Sequence, residues 1–263
     1  MMKLETNVKI ILLGIIQGLT EWLPVSSTGH LKIIEVFLGL SPPVLFDIAL
    51  HLGTLIVTIF YFRYETWKIF VTFVKLDFKS KEGYLALRII AGLIPTAIIG
   101  LFILKFLENV FQESILLAIA FVSSGLVIYF SKIGKHTKNY VDFKSAIIIG
   151  VAQGLSIIPG LSRSGLTISV ALILGINYEE AFKFSFLLSI PAILGALIVT
   201  MYYQTNALLT AGIDPLSLLI GSFVAMLLGY FSLKILHKFL YKFHLFAFYS
   251  LFLGLFIMCL HFI

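Results

Sequence analysis

Charge is scarce in this sequence. Only 12% of its 263 residues are Asp, Glu, Lys or Arg, where a soluble globular protein has nearer a quarter. So few charges cannot cover the surface of a water-soluble domain. Cysteine is almost absent as well. Cys259 stands alone, so no disulfide can form within the chain and the redox compartment cannot be inferred. There is no clustered basic face with stacking aromatics of the kind nucleic acid requires. The basic residues fall in short segments between apolar runs, and no nucleic-acid partner is expected. The roughly ten-residue apolar/polar alternation of a membrane β-barrel is missing. So is a small-residue cleavage site near the start, so the opening stretch up to His30 does not read as a cleaved signal.

What remains is overwhelmingly apolar. The hydrophobic share is 60% and the mean hydropathy is +1.06. Many runs reach the roughly 20 residues that cross a bilayer core of about 30 Å. The expected class is an all-α integral membrane protein. Six full spans are expected, near 44–62, 85–106, 115–131, 182–202, 215–236 and 244–262. Two further apolar stretches, 8–40 and 145–176, are each interrupted in the middle by Pro, Gly, Ser and Thr.

Those two stretches match each other without a gap when Gly14 is laid on Gly150. GIIQGL (14–19) then lies on GVAQGL (150–155). Ser26 falls on Ser162, Thr28 on Ser164, Gly29 on Gly165, Gly39 on Gly175 and Phe46 on Phe182. Two repeats, 1–136 and 137–263, are therefore expected within one membrane domain. The positive-inside rule places loops 63–84, 132–144 and the Lys234–Lys242 segment in the cytoplasm. Loops 107–114 and 203–214 carry no Lys or Arg and are placed outside. This works only if 8–40 and 145–176 are re-entrant hairpins. Each repeat is then one hairpin plus three spans, the second repeat is inverted relative to the first, and both termini lie outside. Irregular backbone at membrane depth is tolerated only around a protein-lined or wet cavity, so the site is expected where the two hairpin tips meet.

The first tip reads EWLPVSSTGH (21–30). Gln17 and Glu21 are four apart and share a helix face. Pro24 ends that helix, and Ser26, Ser27 and Thr28 suit the N-cap of the next. A helix N-terminus favours an anion. The second tip reads PGLSRSGLT (159–167). It holds Arg163 between Ser162 and Ser164, followed by Gly165 and Thr167. An arginine at membrane depth is costly and marks function, and its fork of donors suits phosphate. A glutamate, a histidine, a hydroxyl and a guanidinium together fit phosphoryl hydrolysis. Asp47 and His51, four apart in a span, are candidates for lining or supporting the cavity. Gly92 and Gly221 are expected to serve helix packing.

QGLTEWLPVSSTGH (17–30) and PGLSRSGLT (159–167) resemble the two signature motifs of the undecaprenyl-diphosphatase family, also called bacitracin-resistance proteins. FDIALHLGTL (46–55) and FSFLLSIPAI (184–193) resemble that family too. The resemblance implies an integral phosphatase of the bacterial cell membrane that hydrolyses undecaprenyl diphosphate to the monophosphate carrier of peptidoglycan synthesis. It implies a site opening outward and a need for a divalent cation, Mg²⁺ or Ca²⁺. By position, Glu21 matches the family's essential acid, His30 its histidine, Arg163 its phosphate-binding arginine and Ser27 the hydroxyl expected to attack. Ser27 attacks, or a water does, with Glu21 or His30 handling the proton. Gln17, Ser26, Thr28, Ser162, Ser164, Gly165 and Thr167 are the expected phosphate-binding set, and Glu21 with Gln17 the expected cation ligands. A polyprenyl-phosphate flippase would share the architecture, and a homodimer is one assembly the sequence allows.

Overall fold

A computed structural model describes residues 2–40, 44–106, 113–210 and 214–261. Among these, eleven α-helices follow one another: α1 (Met2–Thr20), α2 (Ser27–Phe37), α3 (Val44–Tyr61), α4 (Arg63–Lys75), α5 (Lys81–Phe106), α6 (Ser114–Phe130), α7 (Phe143–Leu155), α8 (Arg163–Ile173), α9 (Tyr178–Thr210), α10 (Pro215–Lys238) and α11 (Phe246–His261). The fold is an all-α integral membrane protein. Five helices are long and apolar enough to cross a bilayer, at Lys81–Lys105, Ser114–Ile133, Tyr178–Tyr202, Pro215–Lys238 and Leu240–His261. The bent pair α3–α4 supplies a sixth candidate. Lipid takes the place of water around such helices, which is why Phe248, Phe252 and Phe256 can stand exposed along α11.

The two interrupted stretches form helical hairpins, α1–α2 and α7–α8. Each breaks where the sequence leaves backbone groups without a helical partner. Pro24 offers no N–H to continue α1. Ser26 then caps α2, its hydroxyl oxygen accepting from the Gly29 N–H at 3.2 Å. In the second hairpin Ser162 caps α8 in the same way, accepting from the Gly165 N–H at 3.0 Å. Both hairpins end on a left-handed glycine, Gly39 (φ 65°) and Gly175 (φ 87°), the conformation glycine adopts without a Cβ clash.

The packing has a matching pattern in the two halves. α1 lies on α10, and α7 lies on α5; α3 packs on α9, and α6 on α11. The first two contacts are made by glycine backbones. A Cβ on Gly14 would sit 2.4 Å from the Gly221 carbonyl oxygen, and one on Gly150 2.0 Å from that of Gly92. With lipid on one side there is little hydrophobic gain in helix association, so close backbone approach and hydrogen bonds hold such pairs. Thr96 adds one, donating to the Gly92 and Gly150 carbonyls at 2.8 and 2.9 Å. Inside, Trp22 and Phe186 meet at 5.1 Å between ring centroids, in a core that also takes in Phe182, Phe184 and Leu233.

Two expectations are corrected. Residues 203–214, read as a loop, begin inside α9, which runs on to Thr210 because no Gly or Pro interrupts 203–210, while loop 107–114 lies mostly outside the described residues. Residues 63–84, read as a loop, begin with helix α4, which departs from α3 at 86°. The reason lies in its pattern. Tyr64, Trp67, Val71 and Val74 recur at helical spacing, broken by Arg63, Lys68 and Lys75. Such a mixture is too polar to cross a bilayer and too apolar to leave it, and suits a helix lying along the membrane surface. The spans otherwise start earlier than their apolar cores, at Lys81 for α5 and Tyr178 for α9.

Candidate active site

The two hairpin tips touch. The Gly160 N–H donates to the Ser26 hydroxyl oxygen at 3.1 Å, and the Ser164 hydroxyl donates to the Leu23 carbonyl at 3.2 Å. Each tip thus offers a side chain to the other's backbone. Ser26 reaches this geometry with φ at 66°, a left-handed conformation that costs a non-glycine residue about 1–3 kcal/mol.

Glu21 lies at the centre, only 5% exposed. One carboxylate oxygen, Oε1, is paired with the Arg163 guanidinium across the tips. The other, Oε2, accepts from the Ser27 hydroxyl at 2.6 Å and from the Gln17 amide at 2.8 Å. His51 Nε2 also stands 3.2 Å from Oε2. The other ring nitrogen of His51 is 2.7 Å from the Asp47 carbonyl. A carbonyl only accepts, so Nδ1 carries a hydrogen, and the contact with Glu21 needs a second proton, on Nε2 or on the carboxyl. Arg163 is held over the face of Trp22, 5.0 Å from the ring centroid, a cation–π contact strengthened by burial.

This geometry sorts the expected site residues. Gln17, Glu21, Ser27 and Arg163 converge. Ser26 is on the same turn, but its oxygen already accepts two backbone N–H groups. Thr28 is half-buried beside it, 3.5 Å from the Ser26 hydroxyl. Ser162 is occupied as the α8 cap, and Ser164 holds the first tip. The Thr167 hydroxyl meets the Arg163 carbonyl at 2.8 Å and the Ser185 hydroxyl at 2.5 Å, so it braces the first turn of α8. Gly165 leaves room for Ser162, since a Cβ there would come within 2.8 Å of the Ser162 Cβ.

His30 is not brought to the carboxylate. Its Nδ1 is 2.7 Å from the Ser26 carbonyl and its Nε2 is 2.7 Å from the Tyr249 hydroxyl. Nδ1 therefore donates, and Nε2 accepts from Tyr249. Both nitrogens are engaged, and the ring is wedged between Phe121 and Tyr249. The histidine that faces Glu21 is His51. Its helical spacing from Asp47 is the sequence signal, but it lies in a span well outside the tip motifs.

Such a site defines a class: an all-α membrane protein in which a buried carboxylate, a hydroxyl and a guanidinium meet where two broken-helix hairpins touch. The chain belongs to the family described as Bacitracin resistance protein BacA, which it matches over residues 10–256. Relatives named undecaprenyl-diphosphatase match nearly end to end. The protein of Carboxydothermus hydrogenoformans is 46% identical over 258 residues, 95% of each chain. That of Treponema denticola is 42% identical over 254 residues, 93% of this chain and 94% of its own. That of Methanosphaera stadtmanae is 34% identical over 268 residues, 93% of this chain and 94% of its own.

Proposed function

We propose that this protein hydrolyses undecaprenyl diphosphate to undecaprenyl phosphate and inorganic phosphate, recycling the carrier of peptidoglycan synthesis and conferring bacitracin resistance. The observation that carries this reading is the Ser27 hydroxyl donating to Glu21 at 2.6 Å, with Arg163 on the same carboxylate. That is the arrangement of a nucleophile, its base and a phosphate clamp. The terminal phosphate draws Arg163 from Glu21, which leaves the carboxylate free to act as base. Ser27 Oγ attacks the terminal phosphorus and its proton passes to Glu21. The bridging P–O bond breaks, and the prenyl monophosphate leaves with the proton that Glu21 took, which restores the carboxylate. Water then cleaves the phosphoserine and restores Ser27. His30, with both nitrogens engaged, sets the Ser26–Ser27 turn rather than taking the proton.

A divalent cation, Mg²⁺ or Ca²⁺, fits in one way. Among the described residues no three His, Cys, Asp or Glu side chains group as metal ligands, so a closed protein cage is lacking. Gln17 Oε1, however, is buried without a partner, and it adjoins Glu21. Gln17 and Glu21 would hold a cation whose other ligands are phosphate oxygens, the usual habit of Mg²⁺. When bound, the cation would neutralise charge on the diphosphate.

The wider reading places the two halves, 1–136 and 137–263, as inverted repeats in a bacterial cell membrane, with both termini outside and the site opening outward. The lysine-rich loops and the matched pairs α1–α10 and α7–α5 support it.

The test is phosphate release from farnesyl or undecaprenyl diphosphate by purified protein in detergent, with Mg²⁺, Ca²⁺ or EDTA. Release should require the cation and fall about a thousandfold or more in Ser27→Ala. Wild-type protein that binds a prenyl phosphate yet releases none would overturn the reading. His51→Gln should lower kcat about 10- to 100-fold with KM little changed, as misorienting a catalytic group does. An unchanged kcat would remove His51 from the site's working parts.

A further inference from the structure

Far from the hairpin tips, Arg88 sits in the second turn of α5 in a cage of aromatic rings. Its guanidinium carbon lies 5.5 Å from the ring centroid of Tyr140, 5.9 Å from Tyr84 and 5.9 Å from Phe143. Tyr84 is on the first turn of α5, Tyr140 precedes α7, and Phe143 begins it, so the cage bridges two helices. The guanidinium makes no ion pair with a carboxylate among the described residues, and its Nε is buried without an acceptor. Nε itself is sealed from outside, but the outer nitrogens of this half-buried guanidinium are not and have no hydrogen-bond acceptor among the described residues, which leaves them to an anion.

The surroundings say which anion. Tyr84, Tyr140 and Phe143 are 46%, 58% and 43% exposed, so they face outward from the helix pair and not into the protein. Below Phe143 an apolar stripe runs along α7 through Ile147 and Val151, also exposed. Lys81 and Lys144 stand exposed on the first turns of the two helices. One acid is near. Asp142 has its carboxyl held below the usual range by the Ser145 N–H, then by Lys138 and Arg88. Its oxygen is occupied as the cap of α7, accepting from Ser145 at 2.7 Å.

We propose that Arg88, Tyr84, Tyr140 and Phe143 form a binding site for the phosphate headgroup of an anionic phospholipid, at the membrane face that carries the lysine-rich loops. The guanidinium and the two phenols hold the phosphate at interface level, the rings flank the glycerol, and an acyl chain follows Ile147 and Val151 into the bilayer. Basic pockets between membrane helices take lipid headgroups in this manner, and aromatic rings settle at that depth. The site is independent of the diphosphatase reading and stands or falls by lipid binding alone.

The test uses the intact protein in mixed phosphatidylcholine membranes with spin-labelled phosphatidylglycerol as probe. Wild-type protein should hold phosphatidylglycerol in the motionally restricted fraction in preference to spin-labelled phosphatidylcholine. Arg88→Gln should weaken that preference about fivefold, and Arg88→Lys should keep part of it. Arg63→Gln, at an exposed arginine outside the cage, should leave it unchanged. A melting temperature at the wild-type level would certify the Arg88 variants as folded. Should Arg88→Gln not fold, Tyr140→Ala is expected to lower the preference while leaving the charge in place. The proposal is overturned if the folded variant keeps the full preference, or if millimolar inorganic phosphate abolishes it in the wild type, which would mark a free-phosphate site.

Discussion

Glu21→Ala is expected to abolish phosphate release and, in the same protein, to cost about 3–5 kcal/mol of stability. The two effects have separate origins. Activity goes because, in the proposed mechanism, Ser27 loses the acceptor of its proton. Stability goes because Arg163, 17% exposed at its side chain, would be left as a buried cation with no anion, while Gln17 and His51 each lose the same partner. The double variant Glu21→Ala/Arg163→Ala separates them. It should regain part of the lost stability, because the orphaned charge is gone, with a coupling of about 0.5–3 kcal/mol. It should remain inactive. Melting in detergent and phosphate release, measured on the four proteins of that cycle, give both numbers. A folded Glu21→Ala protein within tenfold of wild-type activity would refute the role given to this carboxylate.

Gly150→Ala is expected to be among the most damaging single methyl additions to the chain. The new Cβ would lie 2.0 Å from the Gly92 carbonyl oxygen and 2.8 Å from its Cα. No rotamer can relieve a clash between backbones, so α5 and α7 must separate. Separation breaks the Thr96 bond to the Gly150 carbonyl and shifts the hairpin whose tip carries Arg163. Overpacking commonly costs about 1–3 kcal/mol, and with the lost hydrogen bond the expected loss is about 3 kcal/mol or more. Gly14→Ala should behave alike at the α1–α10 contact. Gly195→Ala is the control, since a Cβ there meets nothing within 4 Å. Equal melting temperatures for Gly150→Ala and Gly195→Ala would show that the helices accommodate the methyl.

Much of this is legible in the sequence. Apolar length gives the spans, and Pro24 and Pro159–Gly160 give the breaks, because each is a local matter of backbone donors and span length. The gapless match of 14–19 to 150–155 points to opposed tips, and hence to Glu21 facing Arg163. What cannot be read is which of two equally suitable groups takes a given partner. Ser26, Ser162 and Ser164 look like phosphate ligands by type, but capping and tip-to-tip bonds occupy them. His30 closes the motif in sequence and points to Tyr249, while His51 comes to Glu21 from α3. Helix α4 escapes a sequence reading because its apolar stripe is diluted by Arg63, Lys68 and Lys75, and window averages register that as a polar loop.

The pairing of Glu21 with Arg163 also bears on how the chain is made. The partners are 142 positions apart, and a ribosome adds about 5–20 residues per second. At that pace the glutamate exists for about 7 to 30 s before its arginine does. An unpaired carboxylate is poorly tolerated in hydrocarbon, so the first hairpin has a reason to wait at the water boundary, or inside the insertion machinery, until the second is synthesised. The meeting of the two tips and the final step of membrane insertion would then be the same event: the ion pair that joins Glu21 to Arg163 is also what lets both hairpins stay at depth.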